Sequence, residues 1–178
     1  MEESTEKQLE KLVSNLCKLM SSGVICHVDG YNGLYVLNGL KCEDLVWYAD
    51  FWSYTPNEKG DITTLSKIDV KLVTPYLKPI DKLNEFEKYV FCRMQDNTIY
   101  NNTKTAIEFA NSWVEWCYYH QIDVDNLISQ GLAFDGTKLE ENIYQYTDEP
   151  LLDIEIKLYD DYLKEKEENR KGNYEFTK

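Results

Sequence analysis

Over residues 4–22 the apolar positions Leu9, Leu12, Val13, Leu16, Leu19 and Met20 recur at steps of three and four. That spacing predicts an amphipathic helix with one apolar stripe. Ser4 is a candidate cap, Thr5 with Gln8 matches a capping box, and Gly23 supplies the stop. The pattern then shortens to period two. Val24–Val28 and Leu34–Leu37 read as strands around Asp29-Gly30-Tyr31-Asn32-Gly33, whose Asp-Gly and Asn-Gly pairs tolerate the positive φ of a turn. Leu45–Tyr54 reads as a third strand. Alternation puts Leu45, Trp47, Ala49 and Phe51 on one face and Val46, Tyr48, Asp50, Trp52 and Tyr54 on the other. Residues 55–60 form a loop, and Ile68, Val70 and Leu72 alternate along a fourth strand.

Pro75 and Pro79 punctuate the middle of the chain, because each removes an amide donor and biases its predecessor away from helix. Helical spacing returns with Leu83, Phe86, Val90, Phe91 and Met94 over about 82–95, a polar loop of Asn97, Asn101, Asn102 and Thr103 follows, and Ile107, Ala110, Val114, Cys117 and Tyr118 mark a helix over about 104–120. Asp123 caps a short turn of helix through Ser129, ended by Gly131. A last helix runs from about Glu149 to Arg170, with Pro150 in its first turn. The expected fold class is α+β: an N-terminal helix, a small antiparallel sheet of about four strands, then a helical C-terminal half. The chain reads as a single domain over 1–178, β-rich over about 24–73 and helical over about 82–170.

Composition narrows the function classes. The 178 residues carry 19 basic and 32 acidic side chains, a net charge of −13, and only Arg93 and Arg170 among the basic residues are arginine. Nucleic-acid readers lean on arginine, and a strongly negative protein repels the phosphate backbone, so direct nucleic-acid binding is disfavoured. The favoured partners are basic surfaces, of which nucleic-acid-binding proteins are the largest class. Fourteen Tyr and four Trp argue against a disordered acidic tail. No apolar run approaches a membrane span, and the acidic N-terminus does not resemble a secretion signal. Five cysteines, scattered and never spaced CxxC, fit reduced thiols in the cytoplasm of a host cell rather than disulfides or zinc. Residues 1–89 carry a net −4 and residues 90–178 a net −9.

The chemistry-bearing residues are few. His120 and Asp123 could form a general base with its orienter, but no third group is nominated by sequence. His27 beside Asp29 is no stronger. Cys92 and Cys117 have no adjacent Lys or His to lower their pKa, so inert buried thiols are expected. Gly30 and Gly33 precede no helix and are hairpin glycines rather than a phosphate cradle. Acidic pairs such as Glu140-Glu141 and Asp160-Asp161 are too common in this chain to nominate a catalytic pair. On the last helix, Asp153/Lys157, Asp160/Lys164 and Lys166/Arg170 alternate sign at i,i+4, which favours an ordinary solvated face over mimicry of DNA; Asp161/Glu165 alone stacks like charges. No catalytic, cofactor-binding or metal residue is assigned. The third strand offers more, since Tyr and Trp anchor interfaces at low entropic cost.

Two segments resemble a widespread family of small phage and prophage proteins of Bacteroidota. One is Thr74-Pro75-Tyr76-Leu77-Lys78-Pro79-Ile80, similar to a KPYLRPLSSM-like stretch. The other is Trp116–Asp123 continuing Leu127-Ile128-Ser129-Gln130-Gly131-Leu132-Ala133, similar to a WLNxHHFDYRGLIxxGLA-like stretch. Tyr119 stands where the family often has its first His, and Val124-Asp125-Asn126 replaces Tyr-Arg-Gly. The resemblance implies a phage or mobile-element setting and no particular reaction. The expected function is a non-enzymatic accessory protein, without cofactor, that binds and inhibits a basic-surfaced host protein handling nucleic acid; an anti-CRISPR or other anti-defence inhibitor is its sharpest form. The expected contact residues are Tyr48, Asp50, Trp52, Tyr54, Asp161 and Glu165. The alternatives are an enzyme built on carboxylates and His120, with or without a metal, and a phage structural protein that self-assembles through the first helix.

Overall fold

The structure is a computed structural model and describes residues 2–100, 113–139 and 153–175. The chain divides into two compact units, Met1–Lys82 with Trp116–Ile143 and Leu83–Glu115 with Tyr144–Lys178.

In the first unit, helix α1 (Glu2–Leu19) runs into a single 3-10 turn, Met20–Ser22, and stops at Gly23, whose φ of 65° a side chain would make costly. Strands β1 (Ile25–Val28), β2 (Tyr35–Glu43), β3 (Val46–Ser53), β4 (Thr64–Asp69), β5 (Val73–Leu77) and β6 (Phe134–Asp135) form one sheet in the order β4-β3-β2-β1-β5-β6. Neighbours are antiparallel except β5 and β6, which are parallel. The fold is α+β as expected, but the sheet is mixed and has six strands rather than about four.

Each departure has a local cause. Val70–Leu72, expected to continue the fourth strand, is a 3-10 turn started by the Asp69 carboxylate, which accepts the Lys71 amide at 2.9 Å. The Thr-Pro-Tyr-Leu-Lys-Pro stretch, expected to punctuate, contains β5. Pro75 sits opposite Cys26, and only the two-residue β6 lies outside β5, so the missing amide is tolerated near this edge. β6 is too short to produce a period at all. β2 outlasts its apolar alternation because a bulge between Leu37 and Gly39 lets pairing with β3 resume through Glu43.

The sheet is strongly curled. Laid flat, β4 and β5 would stand four strand spacings apart, roughly 19 Å. Only three residues join Asp69, paired with Tyr48, to Val73, paired with Val28, a reach of at most about 14 Å. The concave side holds the core: Val24, Cys26, Val28, Tyr35, Leu37, Ala49, Phe51, Ile68, Val70 and Val73, closed by Leu12, Val13, Leu16 and Leu19 of α1. Of the expected stripe, Leu12, Val13, Leu16 and Leu19 lie in the chain's own core and Leu9 packs against it, while Met20 is exposed.

Residues 113–119 are helical (α3), and 121–131 follow as consecutive turns rather than a turn of helix, ending at Gly131 with φ 71°. Tyr118, Leu127 and Ala133 belong to the sheet's core. The Lys78 amide donates to the Gln121 carbonyl and the Asp123 amide to the Lys78 carbonyl, both at 2.9 Å, which docks this stretch beyond β5. These residues, expected in a helical half, therefore complete the β unit.

In the second unit, α2 (Glu85–Tyr100) starts later and ends later than its apolar spacing suggests. A reciprocal cap fixes its start: the Glu87 amide donates to Asn84 and the Asn84 amide to Glu87, both at 2.8 Å. Phe86 meets Tyr159 and Tyr162 of α4 (Asp153–Glu175) at ring distances of 5.3 and 5.2 Å, and Tyr89 meets Tyr162 at 5.4 Å. The expected helix over 104–112, the start of the last helix at 149–152 and the Glu140-Glu141 pair lie outside the described residues.

Candidate functional site

Strand β3 separates its two faces cleanly. Ala49 and Phe51 are buried in the core, and Trp47 packs against it. Tyr48, Asp50 and Trp52 point to the convex side, where Trp52 is 47% exposed. Pairing places Trp52 beside Val36 of β2 and Thr64 of β4, and Val36 beside Ile25 of β1. Tyr54 lies one residue beyond the strand, half-buried, its amide donating to the Leu34 carbonyl at 2.8 Å. Further round the sheet a second aromatic cluster joins His27, Tyr76 and Phe134, with ring distances from Phe134 of 6.0 and 5.5 Å. His27 Nε2 lies 3.2 Å from Asp29.

The distal half of the β2–β3 hairpin is held by charge. Lys41 and Lys67 approach the two Glu43 oxygens at 2.5 and 2.7 Å, and these hydrogen bonds, Lys41 first, hold the Glu43 carboxyl down at about 2. Hydrogen bonding to Glu43 likewise raises the Lys67 pKa, and its ammonium stands 5.2 Å over the Tyr48 ring. Asp50 has a structural task. Its Oδ1 accepts the Lys67 amide at 2.8 Å, where β4 bulges and Lys67 adopts φ 58°.

Leu45, expected on the strand's inner face, is in the turn. Asp44 and Leu45 have φ of 50° and 66°, the pair of positive values that a two-residue type I′ hairpin needs, and Leu45 is 96% exposed. Nothing in the alternation reveals this, because leucine is a poor residue for such a turn and a good one for a strand. Lys41 and Lys67 were also missed; their one signal is that they lie on strands flanking the aromatic one.

Asp161 and Glu165 lie on α4, in the other compact unit from β3. Glu165 pairs with Arg93 and accepts from the Tyr89 hydroxyl at 3.3 Å, while Asp161 lies 3.5 Å from Lys164. The like charges expected to stack are each matched by a cation, and Lys164 turns to Asp161 rather than to Asp160. Lys166 reaches Glu85 at 2.9 Å. The side chains of Asp153, Lys157 and Arg170 lie outside those described. Counted by compact unit, the charge is −7 and −6, so the apparent excess in the second half of the sequence does not survive folding.

Of the residues that looked most like chemistry, Asp123 is bound to the local backbone and His120 packs among aromatic rings. Asp123 is buried, and its two oxygens accept the Leu127 and Ile128 amides at 2.6 and 3.0 Å, the capping role expected of it. The His120 ring packs on Trp116 and Tyr119, at 4.8 and 5.2 Å. Burial pushes the Cys117 thiol up to about 12 and raises that of Cys26 as well. A polar chain ties α1 to the turns: Lys18 Nζ donates to the Tyr118 hydroxyl at 2.9 Å, which donates to Asp125 at 2.8 Å. Lys11 Nζ reaches the Asp125 carbonyl and Gln130 at 3.0 and 2.9 Å. The hydrogen bond from Lys18 raises that lysine's pKa, and burial raises that of Tyr118. Among the described residues no three His, Cys, Asp or Glu side chains group as metal ligands would, and no helix is long and apolar enough to cross a membrane.

Comparison with protein-family models, with curated proteins and with solved structures finds no match to this chain.

Proposed function

We propose that the protein is a non-catalytic binding protein whose contact surface is the convex face of β3 and its neighbours. The observation that carries this reading is the exposure of Trp52 on a rigid strand, beside Tyr48 and Val36, while the alternate residues of the same strand form the core. The net charge of −13 favours a partner with a basic surface and speeds encounter with it. A host protein that handles nucleic acid has such a surface. The two phage-like motifs support a mobile-element setting, in which an acidic protein held against that surface acts as an inhibitor, an anti-CRISPR or other anti-defence protein being its sharpest form. The test is capture from bacterial host lysate at low and high salt, with wild type and Trp52→Ser side by side. The reading expects one specific partner, recovered less at high salt and lost with Trp52→Ser. Recovery of no specific partner at either salt would sink it.

A further inference from the structure

The tip of the β2–β3 hairpin carries a cost without a structural return. Both central residues of its turn are in the left-handed region, where a side chain meets backbone and glycine does not. Asp tolerates that conformation through its short polar side chain; leucine gains nothing from it. Leu45 is moreover 96% exposed, the most exposed of the large apolar side chains among the described residues. It contributes nothing to the core that Trp47 and Leu40 pack against. Strain kept in a rigid frame is a mark of function when the frame over-determines it. Here the frame is stiff: the Lys41–Glu43–Lys67 ion pairs and the Lys67–Tyr48 contact brace the two strands immediately behind the turn. β1 and the residue before it pair with β2 over Tyr35–Leu37, so the braced end, from Lys41 on, extends past its neighbour on that side.

We propose that Leu45 is a preformed anchor that inserts into a small aliphatic pocket of a folded protein partner, with Asp44 facing basic residues at the pocket's rim. Glu43 is compensated by two lysines, whereas Asp44, exposed at the tip, sits next to the anchor. The four charges at the tip, Lys41, Glu43, Asp44 and Lys67, sum to zero, so selection for a basic surface comes from the net charge of −13, with Asp44 the tip charge nearest the anchor. Seven residue steps of strand separate Leu45 from Trp52, about 23 Å, so one interface of ordinary size covers both. This inference rests on the binding-protein reading above and adds the anchor and the chemistry of the surface it enters. A bilayer is a poorer occupant, since a single leucine beside a carboxylate offers little to lipid.

The experiment uses the full chain with a photo-crosslinking diazirine analogue of leucine at position 45, close to leucine in size, and the same group at Lys59 as control, in host lysate. The protein captured through position 45 is then purified and titrated with wild type, Leu45→Gly, Leu45→Asn and Trp52→Ser. Both Leu45 variants are expected to weaken Kd by about tenfold or more. The free Leu45→Gly variant is expected to melt higher, by about 2–4 °C, because it supplies the Asp-Gly pair that the turn prefers. Opposite signs for stability and affinity are what a merely structural leucine would not give. If Trp52→Ser abolishes binding while both Leu45 variants bind as wild type, the binding-protein reading stands and the anchor is wrong. If neither position affects Kd, both fail. A crosslink to a second copy of this chain, or a lower melting temperature for Leu45→Gly, also overturns the anchor.

Discussion

The segment 116–131, the end of α3 and the turns after it, and strand β3 exchange the roles that their residue types suggest. The segment holds His120, Asp123, Tyr118 and Asp125, a set that invites a catalytic reading, and their described hydrogen bonds go largely to backbone amides and to α1. The strand holds Trp47, Tyr48, Phe51 and Trp52, a set that invites a packing reading, and half of it faces away from the core. The lesson is that a polar side chain signals function only once its local backbone partners have been counted. An aromatic side chain signals packing only once its face is known.

The sharpest way to break that comparison is within β3 itself. Phe51→Ala is expected to cost about 3–5 kcal/mol in urea unfolding, as a fully buried aromatic does, whereas Trp52→Ala on the other face should stay within about 1 kcal/mol. Equal losses would mean that the convex face is packed after all. Next in size is Asp123→Ala, which leaves the buried Leu127 amide and the Ile128 amide without their acceptor and should cost about 2–3 kcal/mol. A loss near zero would free Asp123 for chemistry and undo the structural reading of the turns. Tyr118→Phe should cost about 1 kcal/mol, because Lys18 and Asp125 lose a shared hydroxyl yet Lys18 remains able to find water.

The smallest effect concerns pH. The native Glu43 carboxyl, near 2, lies below its ordinary value of 4.5, so the folded protein binds that proton less readily than the unfolded chain. The resulting stability is present above about 4.5 and is lost as pH falls toward about 2. Because the group is solvent-facing and screened, the difference in melting temperature between wild type and Glu43→Gln should be slight at pH 6 and vanish at pH 2. A difference that grows on acidification would contradict the assignment.

Strong periods were legible and short or tertiary ones were not. The α1 stripe and the inner face of β3 follow from spacing alone, since burial there obeys the period of one element. β5 was hidden by Pro75, and β6 by its two-residue length. Of the residues expected at a contact, alternation places Tyr48 and Trp52 on the outward face, while Asp50 is drawn to the Lys67 amide by a bulge that no sequence pattern announces. Glu165 looked like stacked charge because its partner Arg93 is seventy-two residues away in the chain. Long-range pairing is what a one-dimensional reading omits.

The interleaved order of the two units bears on how the chain is made. Tyr118, Leu127 and Ala133 belong to the core that α1 and the first strands begin. A ribosome that has released residues up to Lys82 has therefore delivered most of a curled sheet with part of its interior uncovered. At about 5–20 residues per second, Ala133 follows several seconds later. During that interval the open core and the unpaired side of β5 face the cell. The nascent chain is then most exposed to chaperones and to mispairing, before residues 116–133 close it.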